Sequence, residues 1–267
     1  MKKKLGNLET QFLAYVQMRK MQTVRTGDLA GSLLRLSPDQ ERKLLSRLSR
    51  GGLIARVRQG LYLVPSQLPL GGAWTPSEAS ALNALMEDQN GQYQICGPNA
   101  FNRYGFDEQI PTRVYAYNNR MSGQRTIGAV TLILIKVADE RLGDADEEKL
   151  QDGQSLRYSS RVRTLVDAVY DWSRFNSLPR GYEWIRRELA AKRVDAAELI
   201  KATLRYGDVG TIRRVGALLE REKTDSRLLK KLQRALQPTK SLIPWIPTLP
   251  KRGIINRRWG VVINERK

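Results

Sequence analysis

Apolar residues recur every three to four positions at the start of the chain. Leu8, Phe12, Tyr15 and Val16 share one helical face, which predicts an amphipathic helix over 8–19. "TGDLAGSLL" (26–34) predicts a second, shorter helix with Thr26 as N-cap and Leu29 and Leu33 inward, although its glycines dilute the pattern. "SPDQ" (37–40) supplies a clearer start, with Ser37 as N-cap, Pro38 at the first helical position and Gln40 completing a capping box. Leu44, Leu45 and Leu48 then form an inner stripe, leaving Arg42, Ser46, Arg47, Ser49 and Arg50 outside, and Gly51-Gly52 stops the helix. From Leu53 the period changes to two: Leu53, Ala55 and Val57 alternate with Ile54, Arg56 and Arg58. Gln59-Gly60 marks a turn, Leu61–Val64 a return strand, and Pro65 ends it. Three helices and a basic hairpin describe a winged helix-turn-helix over residues 1–66.

A Pro/Gly-rich stretch, "LPLGGAWTP" (68–76), reads as a linker. Thr75, Pro76 and Glu78 predict another capped helix, with Ala79, Leu82, Leu85 and Met86 inward. "YQICG", "TRVYAYNN" and "AVTLILIKV" read as strands, the last fully buried, and "PNAFNRYG" as a short helix ended by Gly105. An α+β section with an antiparallel sheet is expected over 74–150. Residues 151–240 turn helical: Val162, Leu165, Val166 and Val169 face inward, and helical patterns follow over 181–193, 195–206, 208–222 and 225–236. Residues 241–267 read as an extended tail, proline-rich at 244–250, with a strand at 257–264. The expected fold class is therefore α+β, an amino-terminal winged helix-turn-helix followed by a larger mixed α/β and helical domain over 74–267.

Charge sharpens this division. The 267 residues carry 46 Lys and Arg against 27 Asp and Glu, a formal charge of +19, which implies a polyanionic partner or an acidic protein surface. Residues 1–65 hold 13 basic and 4 acidic residues, 66–150 hold 7 and 11, and 201–267 hold 17 and 5. On the first basic block, Arg42, Lys43, Ser46, Arg47 and Arg50 of the third helix would enter the major groove, and Arg56 and Arg58 of the wing would meet phosphates. On the last, Arg213, Arg214, Arg221, Lys230, Lys231 and Arg234 could form a basic face for a protein partner or for DNA, with a solvated helix surface as the plain alternative.

Several chemistries are excluded by composition. There is no histidine, which removes Ser-His and Cys-His nucleophile pairs and histidine-ligated zinc, and the lone Cys96 cannot form an intramolecular disulfide or a thiolate zinc site. Cys96 reads as a small buried residue. "DADEEK" (144–149) contains Glu147-Glu148-Lys149, a spacing known from nuclease metal sites, but a polar run broken only by Ala145 reads as a solvated acidic turn. No catalytic residue, metal or cofactor is expected, and the chain is read as a non-enzyme; metal-dependent cleavage of DNA would reverse that. RNA-binding signatures are lacking. The longest apolar run, "AVTLILI", has strand length and the start does not fit a signal peptide, so no membrane span and a cytoplasmic location are expected.

The order of five segments carries a resemblance: the wing "GLIARVRQGLYLV", "CGPNAFNRYGFDEQIPTRVYAY", "RVRTLVDAV", "IRRVGALLE" and the tail "PWIPTLPKRGIINRRWGVVIN". Together they resemble the AbiEi antitoxins of bacterial abortive-infection systems, which act in phage defence beside AbiEii nucleotidyltransferase toxins. The resemblance implies a winged helix that binds promoter inverted repeats and represses its own operon, and a second domain that neutralises the cognate toxin. It also implies type IV behaviour, in which neutralisation does not require a stable complex. It transfers no toxin-facing residue to 68–267. The alternative is a winged-helix repressor with an effector or oligomerisation domain and no toxin.

Overall fold

The computed structural model describes residues 6–30, 36–67 and 73–265. In chain order the elements are α1 (Asn7–Met18), β1 (Thr23–Arg25), α2 (Pro38–Arg50), β2 (Ala55–Arg58), β3 (Leu61–Leu63), α3 (Glu78–Asp88), β4 (Tyr93–Ile95), α4 (Gly97–Arg103), β5 (Val114–Asn118), β6 (Gly123–Ile127), β7 (Val130–Lys136), β8 (Ala145–Lys149) and β9 (Ser155–Ser159). The helices α5 (Arg161–Tyr170), α6 (Trp172–Phe175), α7 (Arg180–Ala190), α8 (Ala196–Tyr206), α9 (Val209–Arg221) and α10 (Ser226–Arg234) follow, and then β10 (Ile243–Pro244), β11 (Ile254–Asn256) and β12 (Val261–Ile263). The chain is α+β. It divides into two compact units, one of residues 1–93, 112–137 and 149–156, the other of 94–111, 138–148 and 157–267.

The first unit begins as a winged helix. Phe12, Leu13 and Val16 of α1 pack with Leu44, Leu45 and Leu48 of α2 and with Val24, Ile54, Tyr62 and Val64. Each such side chain contributes roughly 1.5–3 kcal/mol of burial. β3 lies between β1 and β2, antiparallel to both. The strand β1 was not legible, and the helix expected over 26–34 is replaced in residues 26–30 by a turn. Glu41, buried on α2, accepts from Gly27 N at 3.0 Å and Leu29 N at 3.4 Å, and that tertiary contact holds the turn. Leu33 lies outside the described residues, as do 68–72 of the linker.

The expected boundary near 66–74 is not a boundary between units, because α3 packs on β2 and β3 and β6 lies against β2. The α3 cap moves two residues: Ser77, not Thr75, accepts from Ser80 N at 3.1 Å, which puts Glu78 at the first helical position. β7 runs between β6 and β5, antiparallel to β6 and parallel to β5, so the expected antiparallel sheet is mixed. No apolar alternation marks β6, because four of its five residues face solvent. β7 buries Leu132, Leu134 and Ile135 but is only half-buried at Val130, Thr131 and Ile133.

In the second unit α5 is the hub. Leu165, Val166 and Val169 are fully buried, as expected, whereas Val162 is half-buried, and α4, α7, α8 and α9 pack around the helix. Asp167 of α5 pairs with Arg163 at 2.9 Å and Arg141 at 3.1 Å inside this core, where burial pushes its carboxyl upward against the pull of both arginines. The run expected as an acidic turn is the strand β8, beside β9. Two of its three carboxylates have partners that no local pattern announces: Tyr104 Oη donates to Asp146 at 2.8 Å and Arg103 pairs with Glu148. Cys96 is buried. A third set of strands places β12 between β10 and β11, parallel to the first and antiparallel to the second.

Candidate nucleic-acid interface

The capping box that starts α2 forms as its sequence predicts. Ser37 Oγ accepts from Gln40 N at 3.3 Å, and Gln40 Oε1 accepts from Ser37 N at 2.9 Å. Asp39 and Glu41 sit in the first turn, and Arg47 and Arg50 in the last, so both ends complement the helix dipole. With the three leucines fixed in the core, Arg42, Lys43, Arg47 and Arg50 are exposed, and Ser46 is half-buried. Lys43, Arg47 and Arg50 follow helical spacing and share a face.

Two of these arginines have partners in the fold. Arg47 Nε meets Glu9 Oε1 at 2.7 Å, while the other oxygen of Glu9 accepts from Gly6 N at 2.9 Å and closes the start of α1. Arg42 pairs with Asp39 one turn back, both side chains being well exposed. Lys43 and Arg50 have no acidic partner among the described residues.

The wing separates its two arginines. Ala55 lies opposite Leu63 and Arg56 opposite Tyr62, but the next pairing is Arg58 with Leu61, so a bulge inserts Val57. Gly60, at φ +80°, makes the turn. Arg56 points to solvent with no acidic partner among the described residues. Arg58 grips Asp88 at the end of α3 with both Nε and Nη2, each at 2.6 Å, and Arg25 of β1 reaches the same carboxylate at 2.8 Å. The Asp88 side chain is 2% exposed, and Arg58 above all, helped by Gln89 and Arg25, holds its carboxyl well below the usual range. The two wing arginines, expected to act as a pair on phosphates, thus differ in the fold: Arg56 is without an acidic partner among the described residues, whereas Arg58, itself partly exposed, clasps the wing to α3. No local pattern in the sequence marks Asp88, since 30 residues separate it from Arg58 and 63 from Arg25.

The carboxy-terminal basic set divides as well. Arg213 is 3% exposed: its Nε donates to Trp259 O at 2.7 Å and its Nη2 to Ser241 O at 2.6 Å and to Gly260 O. Arg214, also buried, donates to Pro244 O at 3.3 Å. Burial pushes both guanidiniums downward, Arg214 adding to the effect on Arg213. Neither lies on an accessible face. Arg221 is exposed but pairs with Glu265 at 3.0 Å. Lys230, Lys231 and Arg234 do form an exposed basic surface on α10. On α9, Gly216 lets the Trp259 ring pack close, since a Cβ there would stand 2.3 Å from it.

No family model matches the chain, and no curated protein matches it. Among solved structures, it is similar to the crystal structure of the RV2827C protein from Mycobacterium tuberculosis, with a TM-score of 0.62 and 14% identity over 97% of this chain and 92% of that one. At that identity the likeness is one of fold. No helix among the described residues is long and apolar enough to cross a membrane.

Proposed function

We propose that the winged helix binds double-stranded operator DNA at inverted repeats and represses the chain's own operon, and that the chain is the antitoxin of a cognate nucleotidyltransferase toxin. The observation that carries the DNA half is the position of Lys43, Arg50 and Arg56: cations on the outer face of α2 and on the wing, with no acidic partner among the described residues. Arg42, whose pair with Asp39 is exposed and weak, joins them. A recognition helix with an adjacent basic wing is the geometry by which winged helices meet a groove and its flanking backbone. The antitoxin half rests on the sequence resemblance to the AbiEi family.

The test has two arms. In the first, the full chain is titrated against a duplex carrying inverted repeats from upstream of its own gene, and Arg50→Ala with Arg56→Ala is expected to weaken binding on every duplex tried. Unchanged binding would remove the winged helix from the interface. In the second, the adjacent gene is expected to encode a nucleotidyltransferase toxin, and co-expressing the chain with its product is expected to restore growth. Repression without rescue would leave a repressor that has no toxin.

A further inference from the structure

The small sheet of the second unit leaves a strand open. β11 pairs with β12 on one side, with Ile254 opposite Ile263, Ile255 opposite Val262 and Asn256 opposite Val261. Among the described residues its other edge has no partner. Adjacent strand residues point to opposite faces, and here both faces are bare: Ile254 is 73% exposed and Ile255 48%. A shallow groove of about 540 Å³ runs alongside, lined by Arg221, Ile254, Ile255, Asn256, Arg257 and Ile263. Such an edge is a template for another strand, and folded proteins ordinarily cover or blunt it.

The surrounding charge says what would cover it. "KRGIINRR" (251–258) has four cations and no acid. Arg258 turns to Glu220 at 2.8 Å, but Lys251, Arg252 and Arg257 are exposed without an acidic partner among the described residues. Cations lie on both flanks of the strand, so a second copy pairing edge to edge would bring like charges together in either direction. A nucleic acid would satisfy the cations but not the row of amides and carbonyls or the two isoleucines. We propose that the open edge of β11 receives an extended, acidic segment of a partner protein as an added strand. Its main-chain hydrogen bonds would supply affinity, Ile254 and Ile255 an apolar seat on each face, and the flanking cations the choice of partner. This proposal is independent of the DNA and antitoxin readings.

The full chain is the test object, and two labelled synthetic peptides are the probes. Each has an alternating valine and threonine centre; one is flanked by glutamates, the other by lysines. The glutamate peptide is expected to bind saturably by fluorescence anisotropy, at least about tenfold more tightly than its lysine twin, and to slow amide exchange in residues 254–256. Arg252→Glu with Arg257→Glu, both at exposed positions, is expected to reverse the preference. Binding without amide protection would mean charge attraction alone and overturn the strand. Equal binding of the two peptides, or none, would overturn the partner chemistry. Concentration-dependent dimerisation abolished by Ile254→Lys would give the edge to a second copy instead.

Discussion

Helices α2 and α9 are built from similar letters. Each runs for thirteen residues, each sets arginines among leucines, and each has an arginine in its last turn. On α2 the arginines lie outside the leucine stripe and stay in solvent. On α9, Arg213 and Arg214 stand beside Ile212 and Val215 inside the packed face, where they bind the backbone carbonyls of the tail. The contrast comes from what covers each helix. α2 has one apolar face against the winged-helix core and nothing described over the other. α9 is packed on several sides, by α5, α8, α10 and β12, so even its charged positions are enclosed. A buried guanidinium survives there because its planar fork of donors matches several carbonyls at once.

The strongest way to break the comparison is to remove a buried arginine. Arg213→Met is expected to lower stability by about 3–4 kcal/mol, because three carbonyls lose a charged donor inside the protein. Urea unfolding measures it, and Arg213→Lys, which keeps the charge but not the fork, should recover only part. A change near zero would put Arg213 on the same footing as the surface arginines. The matching experiment on α2 uses salt. With about four phosphate contacts from Arg42, Lys43, Arg50 and Arg56, log K should fall with log salt at a slope near −3.6, so that a fourfold rise in salt weakens operator binding about 150-fold. A flat salt response would show that these cations do not meet DNA.

Smaller effects sharpen the contrast within the wing. Arg56→Ala should weaken DNA binding and leave stability unchanged, whereas Asp88→Asn should lower the urea midpoint through the loss of its grip on Arg58 and Arg25. The sign of the pH dependence follows from the lowered carboxyl. Stability that Asp88 adds is present above its unfolded pKa, about 3.9, and is lost as the pH falls through the folded value. The gap between wild type and Asp88→Asn should therefore be widest near neutrality and close in acid; a gap that widens in acid would contradict the clasp. The smallest effect is expected at Arg47. Breaking its surface pair with Glu9 by Arg47→Ala should change stability by only about 0.2–1 kcal/mol. Its operator discrimination, measured on matched and mutated duplexes, tells whether the side chain leaves Glu9 for a base edge.

Local signals in the sequence led to local structure. The Ser37 box, the Gly60 turn and the helical patterns of α7 to α10 all rest on contacts between near neighbours, and all are found within a few residues of their expected places. Elements held by distant partners were not legible. β1 is three residues long and exists as a strand through β3; β6 shows solvent-facing residues along most of its length; β8 is a strand although its letters suggest a loop. The candidate site follows the same rule. The outward face of α2 could be read from Leu44, Leu45 and Leu48. The engagement of Arg58 with Asp88, and of Arg213 with the tail carbonyls, depends on pairings 28 to 47 residues away.

The interleaved path of the two units has a consequence in time. During synthesis the amino-terminal winged helix emerges first, but its unit also needs residues 112–137 and 149–156. At roughly 5–20 residues per second, the interval between residue 93 and residue 137, where β7 is complete, is about two to nine seconds. Throughout it, the surfaces of β2 and α3 that later meet β6 and β7 wait uncovered. Substitutions that slow the closing strands, β5 to β7, should therefore reduce the yield of folded protein more than their equilibrium effect accounts for, and ribosome-bound chains halted before and after residue 137 would differ sharply in resistance to protease.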